Sequence, residues 1–336
     1  MSPTCSPILV TGGAGYIGAH AVLALKQRGY QPIVLDNLSR GHRSIVEDVL
    51  QVPLLVGDTR DAAFLDRVFA EYAIEAVMHF AAFIEVGESV VDPLAFYDNN
   101  VAGTVSLLQA MQRAGVSKFV FSSTCATYGL PEQIPMSEDH SQRPISPYGQ
   151  TKYMVEQILR DSDAAYGLRS VSFRYFNASG ADASGCLGEN HSPETHLIPL
   201  VLLTALGKRP SIKIFGTDYD TPDGTCVRDY IHVSDLADAH VLGLEYLLGG
   251  GETTAFNLGN GLGFSVREVI EVARQVTGLP IAVEETTRRA GDSTSLVGSS
   301  DRARQVLGWQ PRFADLRVIV EDAWRWHQRT HGGDRR

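Results

Sequence analysis

Ile8-Leu9-Val10-Thr11-Gly12-Gly13-Ala14-Gly15-Tyr16-Ile17-Gly18 decides how this chain folds. Pro7 to Val10 is a short apolar run of the kind that forms a buried strand, and an Ala- and Leu-rich helical stretch follows from Ala19 to Arg28. Between them, glycines at 12, 15 and 18 allow a tight turn, a close approach of backbone to a pyrophosphate, and close packing of helix on strand. The free N–H groups and dipole of the helix N-terminus then favour phosphate. A glycine-rich loop can merely turn a chain, but strand, glycines and helix in this order read as a dinucleotide site. Pro32 to Leu35 reads as a second strand and ends in Asp36, 18 residues after Gly18. A carboxylate there accepts hydrogen bonds from the adenosine ribose and repels a 2′-phosphate, so NAD is expected rather than NADP. Arg40 and Arg43, close by in sequence, weigh against that preference. Tyr16, Ile17 and Asn37 complete the cofactor-binding candidates at this end of the chain.

Strand and helix patterns continue to alternate. Strands are expected at Pro53–Val56, Ala76–Phe80, Lys118–Ser122 and Ser170–Arg174, and helices at Ala62–Tyr72 and Leu94–Ala114. This βαβ rhythm predicts an α/β fold, a Rossmann-type doubly wound parallel sheet. Beyond Phe176 the pattern loosens into loops rich in Gly, Pro and Asp, which suggests a smaller mixed α/β C-terminal substrate domain. The expected division is 1–175 for NAD and 176–336 for substrate, with about 229–259 returning to the main sheet through a strand at Ala255–Leu258. Ligands of such sheets bind beyond the carboxyl ends of the strands, near Gly57-Asp58, Phe80-Ala81, Ser122-Ser123-Thr124 and Tyr175-Phe176-Asn177.

One further helix carries the reactive pair. Ser146 suits the N-cap, Pro147 the first helical position, and no breaker comes before Gly167. Tyr148 and Lys152 are four apart and share a face. An ammonium beside a phenol is expected to lower its pKa and fit it to act as a base near neutral pH. The pair alone is weak evidence, since Tyr-x-x-x-Lys often falls by chance on a solvated helix face.

Composition sets outer limits. A chain of 336 residues with 44% hydrophobic and 20% charged residues can bury a large core. The formal net charge of −10 argues against nucleic acid or an anionic membrane as partner. Cys5, Cys125, Cys186 and Cys226 show no metal-ligand spacing, so reduced thiols are expected. No apolar run approaches the ~20 residues that span a bilayer. The first strand begins within ten residues of Met1, which leaves little room for a signal peptide, so a cytoplasmic protein is expected. The tail from His331 to Arg336 reads as disordered. His196 and His232 suggest a metal pair, but no third ligand was found at suitable spacing, and no metal is expected. Phe96, Leu107, Leu108 and Met111 form a helical stripe that reads as core or a dimer interface.

Gly12-x-x-Gly15-x-x-Gly18, Asp36, Ser122-Ser123-Thr124-Cys125-Ala126-Thr127-Tyr128-Gly129 and Tyr148-x-x-x-Lys152 together resemble the extended short-chain dehydrogenase/reductase family. Arg174-Tyr175-Phe176-Asn177, His196-Leu197-Ile198-Pro199, the stretch Asp223 to His232, and Arg289-Ala290-Gly291-Asp292 narrow the resemblance to its UDP-glucose 4-epimerase branch. The match runs from about Ile8 to Trp309. It implies reversible epimerisation of UDP-galactose and UDP-glucose at C4 with tightly held NAD, in a homodimer whose interface includes the Tyr148 helix. By the same resemblance Tyr148 is the base, Lys152 holds the nicotinamide ribose, and Thr124 relays the sugar proton. Asp58 and Thr59 should lie by the adenine, Asn99 by the pyrophosphate, and Phe80, Ala81, Ser122 and Tyr175 in the cofactor pocket. Phe176, Asn177, His196, Leu197, Arg228, Arg289 and Asp292 should hold the UDP-sugar; guanidinium groups suit its diphosphate.

The sequence departs from the family pattern in the loop after Phe80-Ala81, where Ile84 and Glu85 replace an expected lysine. By the same resemblance, the position that gates the sugar pocket falls at Leu296, whose size would leave room for an N-acetyl group. UDP-N-acetylhexosamine 4-epimerisation is therefore one alternative; UDP-xylose/UDP-arabinose 4-epimerisation is another, since Thr124-Cys125-Ala126-Thr127-Tyr128 also resembles that group, and a non-catalytic NAD-sensing protein is a remote one. Cys125 and Ala126 follow the threonine where nucleotide-sugar dehydratases carry acids, which argues against dehydration.

Overall fold

The computed structural model describes residues 6–289 and 291–331. Cys5, Ala290 and the tail beyond His331, three places on which sequence readings fell, lie outside the described residues. Six strands come first: β1 (Pro7–Thr11), β2 (Gln31–Asp36), β3 (Leu54–Val56), β4 (Ala76–His79), β5 (Lys118–Ser122) and β6 (Arg169–Tyr175). The later ones are β7 (Asn177–Ser179), β8 (Ile212–Phe215), β9 (Val227–Arg228), β10 (Tyr230–His232), β11 (Thr254–Leu258), β12 (Phe264–Ser265), β13 (Val283–Thr286) and β14 (Ser295–Leu296).

A seven-stranded sheet in the order β11-β6-β5-β4-β1-β2-β3 forms the centre, and every pairing in it is parallel. Helices cover both faces, which is why β1 reads as an unbroken apolar run. Ile8 and Val10 pack on one face with Val34, Met78, Val120 and Phe173, while Leu9 packs on the other with Ile33, Leu35, Val77 and Phe121. That split is the period-two alternation of a strand buried on both sides. The chain winds outward from β1 to β3, then restarts at β4 on the other side of β1, so a crevice opens at that reversal.

β11 extends the sheet at its β6 edge, and helix Val233–Leu248 just before it packs on helix Tyr16–Gln27. A separate core of Ile198, Val201, Leu202, Val269, Ile270 and Ile319 holds helices Leu197–Ala205, Val266–Thr277 and Leu316–His331 together. Among the small sheets, β9 lies between β12 and β14.

Two helix boundaries differ from the sequence reading. The first helix starts at Tyr16 rather than Ala19, since Gly15 in an extended conformation already serves as its N-cap. The helix expected over Leu94–Ala114 is Pro93–Phe96, a π-helical stretch Tyr97–Ala102, then Gly103–Ala114. The wide turn is a departure that spacing alone does not signal. Phe96, Leu107, Leu108 and Met111 are buried in the chain's own core.

Buried histidines, His79, His20 and His240 among them, make the fold sensitive to acid. His79 lies between the hydroxyls of Thr11 and Thr104, at 2.6 and 2.9 Å, and burial pulls its pKa down to about 3. Burial likewise lowers His20 and His240 to about 4 each. The unfolded chain, with ordinary histidine pKa values near 6.5, takes up protons that the folded chain refuses. The stability these neutral rings contribute is therefore present above about pH 6.5 and is lost as pH falls toward 4, at up to about 1.4 kcal/mol per pH unit for each ring. Urea midpoints should fall between pH 7 and pH 5, and His79→Gln should make the fall shallower; an equally steep fall in that variant would remove His79 from the account.

Candidate functional site

A cleft of about 850 Å³ runs along the carboxyl ends of the central strands. Its floor is the glycine loop. Gly12 has φ 74°, and a Cβ there would sit 2.5 Å from the backbone nitrogen of Ala81. A Cβ on Gly18 would meet the Gly12 carbonyl oxygen at 2.2 Å, so loop, helix and the chain after β4 are in direct backbone contact. Gly15 meets only the Gly12 oxygen, at 3.4 Å, and lines the cleft. No side chain caps the helix that begins at Tyr16, so its first N–H groups are available to an anion. These features fit a dinucleotide pyrophosphate.

At the end of β2, Asp36 is buried and its two oxygens accept from the backbone N–H groups of Ala14 (3.0 Å) and Leu38 (2.8 Å). Burial raises its pKa, and those two bonds oppose the rise. The nearby arginines are engaged elsewhere: Arg40 donates to the Ser192 carbonyl and pairs with Glu88, and Arg43 pairs with Glu47. Asp36 thus faces the cleft without a neighbouring cation dedicated to a 2′-phosphate. Arg40 also lies 3.9 Å from Glu85, in the loop where Ile84 replaces the expected lysine.

Tyr16, Ile17, Asn37, Thr59, Phe80, Ala81, Asn99, Ser122 and Tyr175 all line the cleft. Asp58 does not. Its carboxylate is clamped by the Arg60 guanidinium, which holds its pKa well below the usual carboxylate range, and it accepts from Asn37 Nδ2 at 2.9 Å. Asp58 therefore orients Asn37.

Tyr148 and Lys152 lie one turn apart on helix Pro147–Tyr166 and face the cleft with Thr124. Ser146 caps this helix by accepting from the Gly149 N–H at 3.1 Å, and Gly167 ends it in the left-handed conformation. Tyr148, Lys152 and Thr124 are 9%, 3% and 7% exposed. The sequence reading that Lys152 lowers the Tyr148 pKa requires correction. Burial raises Tyr148 well above an ordinary phenol, with Tyr175 adding to the rise and a hydrogen bond with Thr124 opposing it. The Lys152 ammonium instead donates to the Ser122 carbonyl at 2.8 Å and lies 4.9 Å from the centre of the Phe121 ring. Burial pulls its pKa down to about 7 against the pull of Glu156. Spacing showed that the two share a face; it could not show that the ammonium turns toward the sheet.

Beneath this pair lies a buried network. Arg174 at the end of β6 binds Glu156, one turn beyond Lys152, with Nη2 at 2.6 Å, and also donates to the Tyr128 hydroxyl at 2.9 Å. Glu156 further accepts from Ser123 Oγ at 2.5 Å, and the Tyr128 hydroxyl donates to Asn257 Oδ1 at 2.6 Å. The segment Ser122–Thr124 is therefore held from below by charge-assisted bonds. Glu156 and Asn257 have no visible motif of their own. Only the helical spacing of Glu156 from Lys152 signalled the first.

At the other end of the cleft, Phe176, Asn177, His196 and Arg289 line the wall. Arg228 and Arg289 flank Asp292, at 3.7 and 3.0 Å, and Arg289 stacks over Phe215 with its guanidinium 4.6 Å from the ring centre. Leu197 begins the following helix, and Leu296 on β14 pairs with Arg228 on β9. Leu197, Arg228, Asp292 and Leu296 are not among the residues that line the cleft, and Leu296, like Cys125, packs against the cluster of Tyr128, Met136 and Phe176. The two histidines weighed as a metal pair are not partners. His232 is buried beside Asp322 at 3.2 Å, whereas His196 meets Glu189, His191 and Glu194. Burial would lower His196, but Glu189 and Glu194 hold it up to about 10. Glu-x-His-x-x-Glu-x-His was visible in the sequence, but pairing His196 with His232 concealed it.

The model of the NAD dependent epimerase/dehydratase family matches residues 8–259, a span that takes in the glycine loop, Thr124, Tyr148 and Lys152. The chain belongs to that family. This family member is 58% identical over 327 residues to a UDP-glucose 4-epimerase of Rhizobium meliloti (strain 1021), covering 97% of this chain and 98% of that one. Among solved structures it is similar to a UDP-glucose 4-epimerase with a TM-score of 0.95 at 50% identity, covering 97% of this chain and 98% of that chain. The UDP-glucose 4-epimerase of Brucella ovis in complex with NAD gives 0.92 at 48% identity, over 95% and 97% of the two chains. No helix among the described residues is long and apolar enough to cross a membrane.

Proposed function

We propose that this NAD-dependent epimerase is an isomerase that interconverts UDP-galactose and UDP-glucose at C4. The observation that carries this reading is the convergence of Tyr148, Thr124 and Lys152 on a cleft whose floor is the glycine loop. A carbon bearing H and OH, with no acidic C–H, is inverted most easily by way of a ketone. Bound NAD would supply a hydride acceptor and donor for that carbon, and a positive charge that favours the Tyr148 phenolate. Gly12, Gly15, Gly18, Asp36, Asn37, Thr59 and Asn99 would hold it. Tyr148 would take the 4-hydroxyl proton and later return it, with Thr124 as relay. Thr124 Oγ1 already accepts from the Ala126 N–H at 3.2 Å, which leaves its O–H free to donate. Lys152 would hold the nicotinamide ribose, and its bond to the Ser122 carbonyl sets where its ammonium sits.

For the substrate, Asn177, His196 and Arg289 line the cleft, and the guanidinium groups of Arg289 and Arg228, linked through Asp292, suit a diphosphate. Asn177 is fixed by donating to the Asp229 carbonyl at 2.8 Å. Exposed Val90, Val91 and Leu94, on the short helices beside helix Pro147–Tyr166, support a homodimer through that face. We place the enzyme in the cytoplasm, in keeping with free Cys125, Cys186 and Cys226.

The deciding experiment is incubation of purified protein with UDP-galactose and no added cofactor. UDP-glucose should form. No product, even after NAD is supplied, would overturn the reading, and UDP-xylose and UDP-N-acetylglucosamine as competitors would reveal a pentose or N-acetylated preference.

A further inference from the structure

We propose that Glu189, His191, Glu194 and His196 form a zinc site that fastens the 189–196 loop into the wall of the cleft. Each residue offers one ligand atom, and all four atoms lie within 4.8 Å of one another. The set is two imidazole nitrogens and two carboxylate oxygens, which suits Zn2+.

The separations are short enough for the four residues to share one ion. Zinc bonds of about 2.0–2.1 Å in a tetrahedron put neighbouring ligand atoms about 3.3 Å apart. His196 Nδ1 lies 2.8 Å from Glu189 Oε1 and 3.0 Å from Glu194 Oε1. His191 Nδ1 lies 3.1 Å from Glu189 Oε1 and 3.8 Å from Glu194 Oε2. Three of these separations lie close to the tetrahedral edge and the fourth is longer, with Glu194 presenting Oε1 to His196 and Oε2 to His191.

The ligands are also anchored by groups outside the set. The Glu189 carbonyl accepts from Trp326 Nε1 at 2.8 Å, and its side chain is 5% exposed. Glu194 Oε1 accepts from the backbone N–H groups of Thr195 and His196, at 2.7 and 2.8 Å. His196 is the residue just before helix Leu197–Ala205, so the site would join the end of the loop to that helix. Arg40 binds the Ser192 carbonyl and His42 contacts the Asn190 carbonyl, which ties the middle of the loop to the chain after β2. With four protein ligands the site is closed, and its role is structural. Both imidazoles meet the carboxylates through Nδ1, and His196 also lines the cleft. The competing arrangement is a metal-free cluster in which a protonated histidine supplies the positive charge.

Cobalt separates the two. Full-length protein stripped with a chelator and titrated with Co2+ should saturate at one equivalent, with the intense visible bands of four-coordinate cobalt, and Zn2+ should abolish them. His191→Gln and Glu194→Gln, checked for folding by circular dichroism, should weaken binding by at least ~100-fold. X-ray absorption of the zinc-loaded wild-type protein needs no variant; it should show two imidazoles and no sulfur. Absence of saturable binding, a weak six-coordinate spectrum, sulfur ligation, or a titration unchanged in both variants would overturn the proposal.

Discussion

Replacing Tyr148 with phenylalanine should lower the turnover of UDP-galactose by roughly 10²–10⁴-fold, the range for removing a positioned acid–base group. The substitution deletes one oxygen. The ring keeps its place on helix Pro147–Tyr166, where Tyr148 is 9% exposed and the helix is capped by Ser146 upstream of it. The glycine loop and Asp36 belong to other elements, so bound NAD, released by denaturation and measured, should stay near the wild-type amount. Thr124 remains, but the phenol oxygen to which it would pass the proton is gone. Loss of turnover with retained NAD is the expected pattern. Turnover unchanged in the variant would remove Tyr148 from the reaction, and turnover lost together with NAD would make its role structural.

Arg174→Met should destabilise the protein by about 3–5 kcal/mol, the cost of leaving one partner of a buried ion pair uncompensated. The Arg174 and Glu156 side chains are 4% and 1% exposed, so a desolvated Glu156 would be left with the more exposed Arg160, at 3.9 Å, as its arginine partner. Burial lowers the arginine pKa, but Glu156 and Tyr128 outweigh it and hold Arg174 above the ordinary guanidinium value. The double variant Arg174→Met, Glu156→Met should recover most of the loss, because two apolar groups of similar length replace a pair whose attraction largely offsets its own desolvation. Urea unfolding of wild type, both single variants and the double variant gives the coupling directly. A single variant as stable as wild type would show that the network contributes nothing to stability. Since Glu156 also holds Ser123, next to Thr124, turnover should fall as well in the single variant.

Much of the sheet was legible because a strand buried on both faces leaves a mark that few other elements leave. Ile8, Leu9 and Val10 are all fully buried, on alternate sides of the sheet, and the three-glycine turn that follows leads straight into a helix. Lys118–Ser122 coincides with β5, and the expected return at Ala255–Leu258 falls within β11. The π-helical stretch Tyr97–Ala102 was not legible, since one extra residue in a turn hardly alters an apolar period.

Local order is thus what the sequence determined: the glycine loop before a helix, Asp36 at the end of a strand, and Tyr148 and Lys152 on one face with a cap and a stop. These depend on contacts between residues close in the chain, or on patterns with a short period. Tertiary structure alone decided which way each polar group turns. It sent the Lys152 ammonium to the Ser122 carbonyl, 30 residues away, and the Asp58 carboxylate to Arg60 and Asn37 instead of the cleft. It separated His196 from His232 and gathered the former with Glu189, His191 and Glu194. A buried charge takes the partner that compensates its desolvation best, and that choice is made only when distant elements pack together.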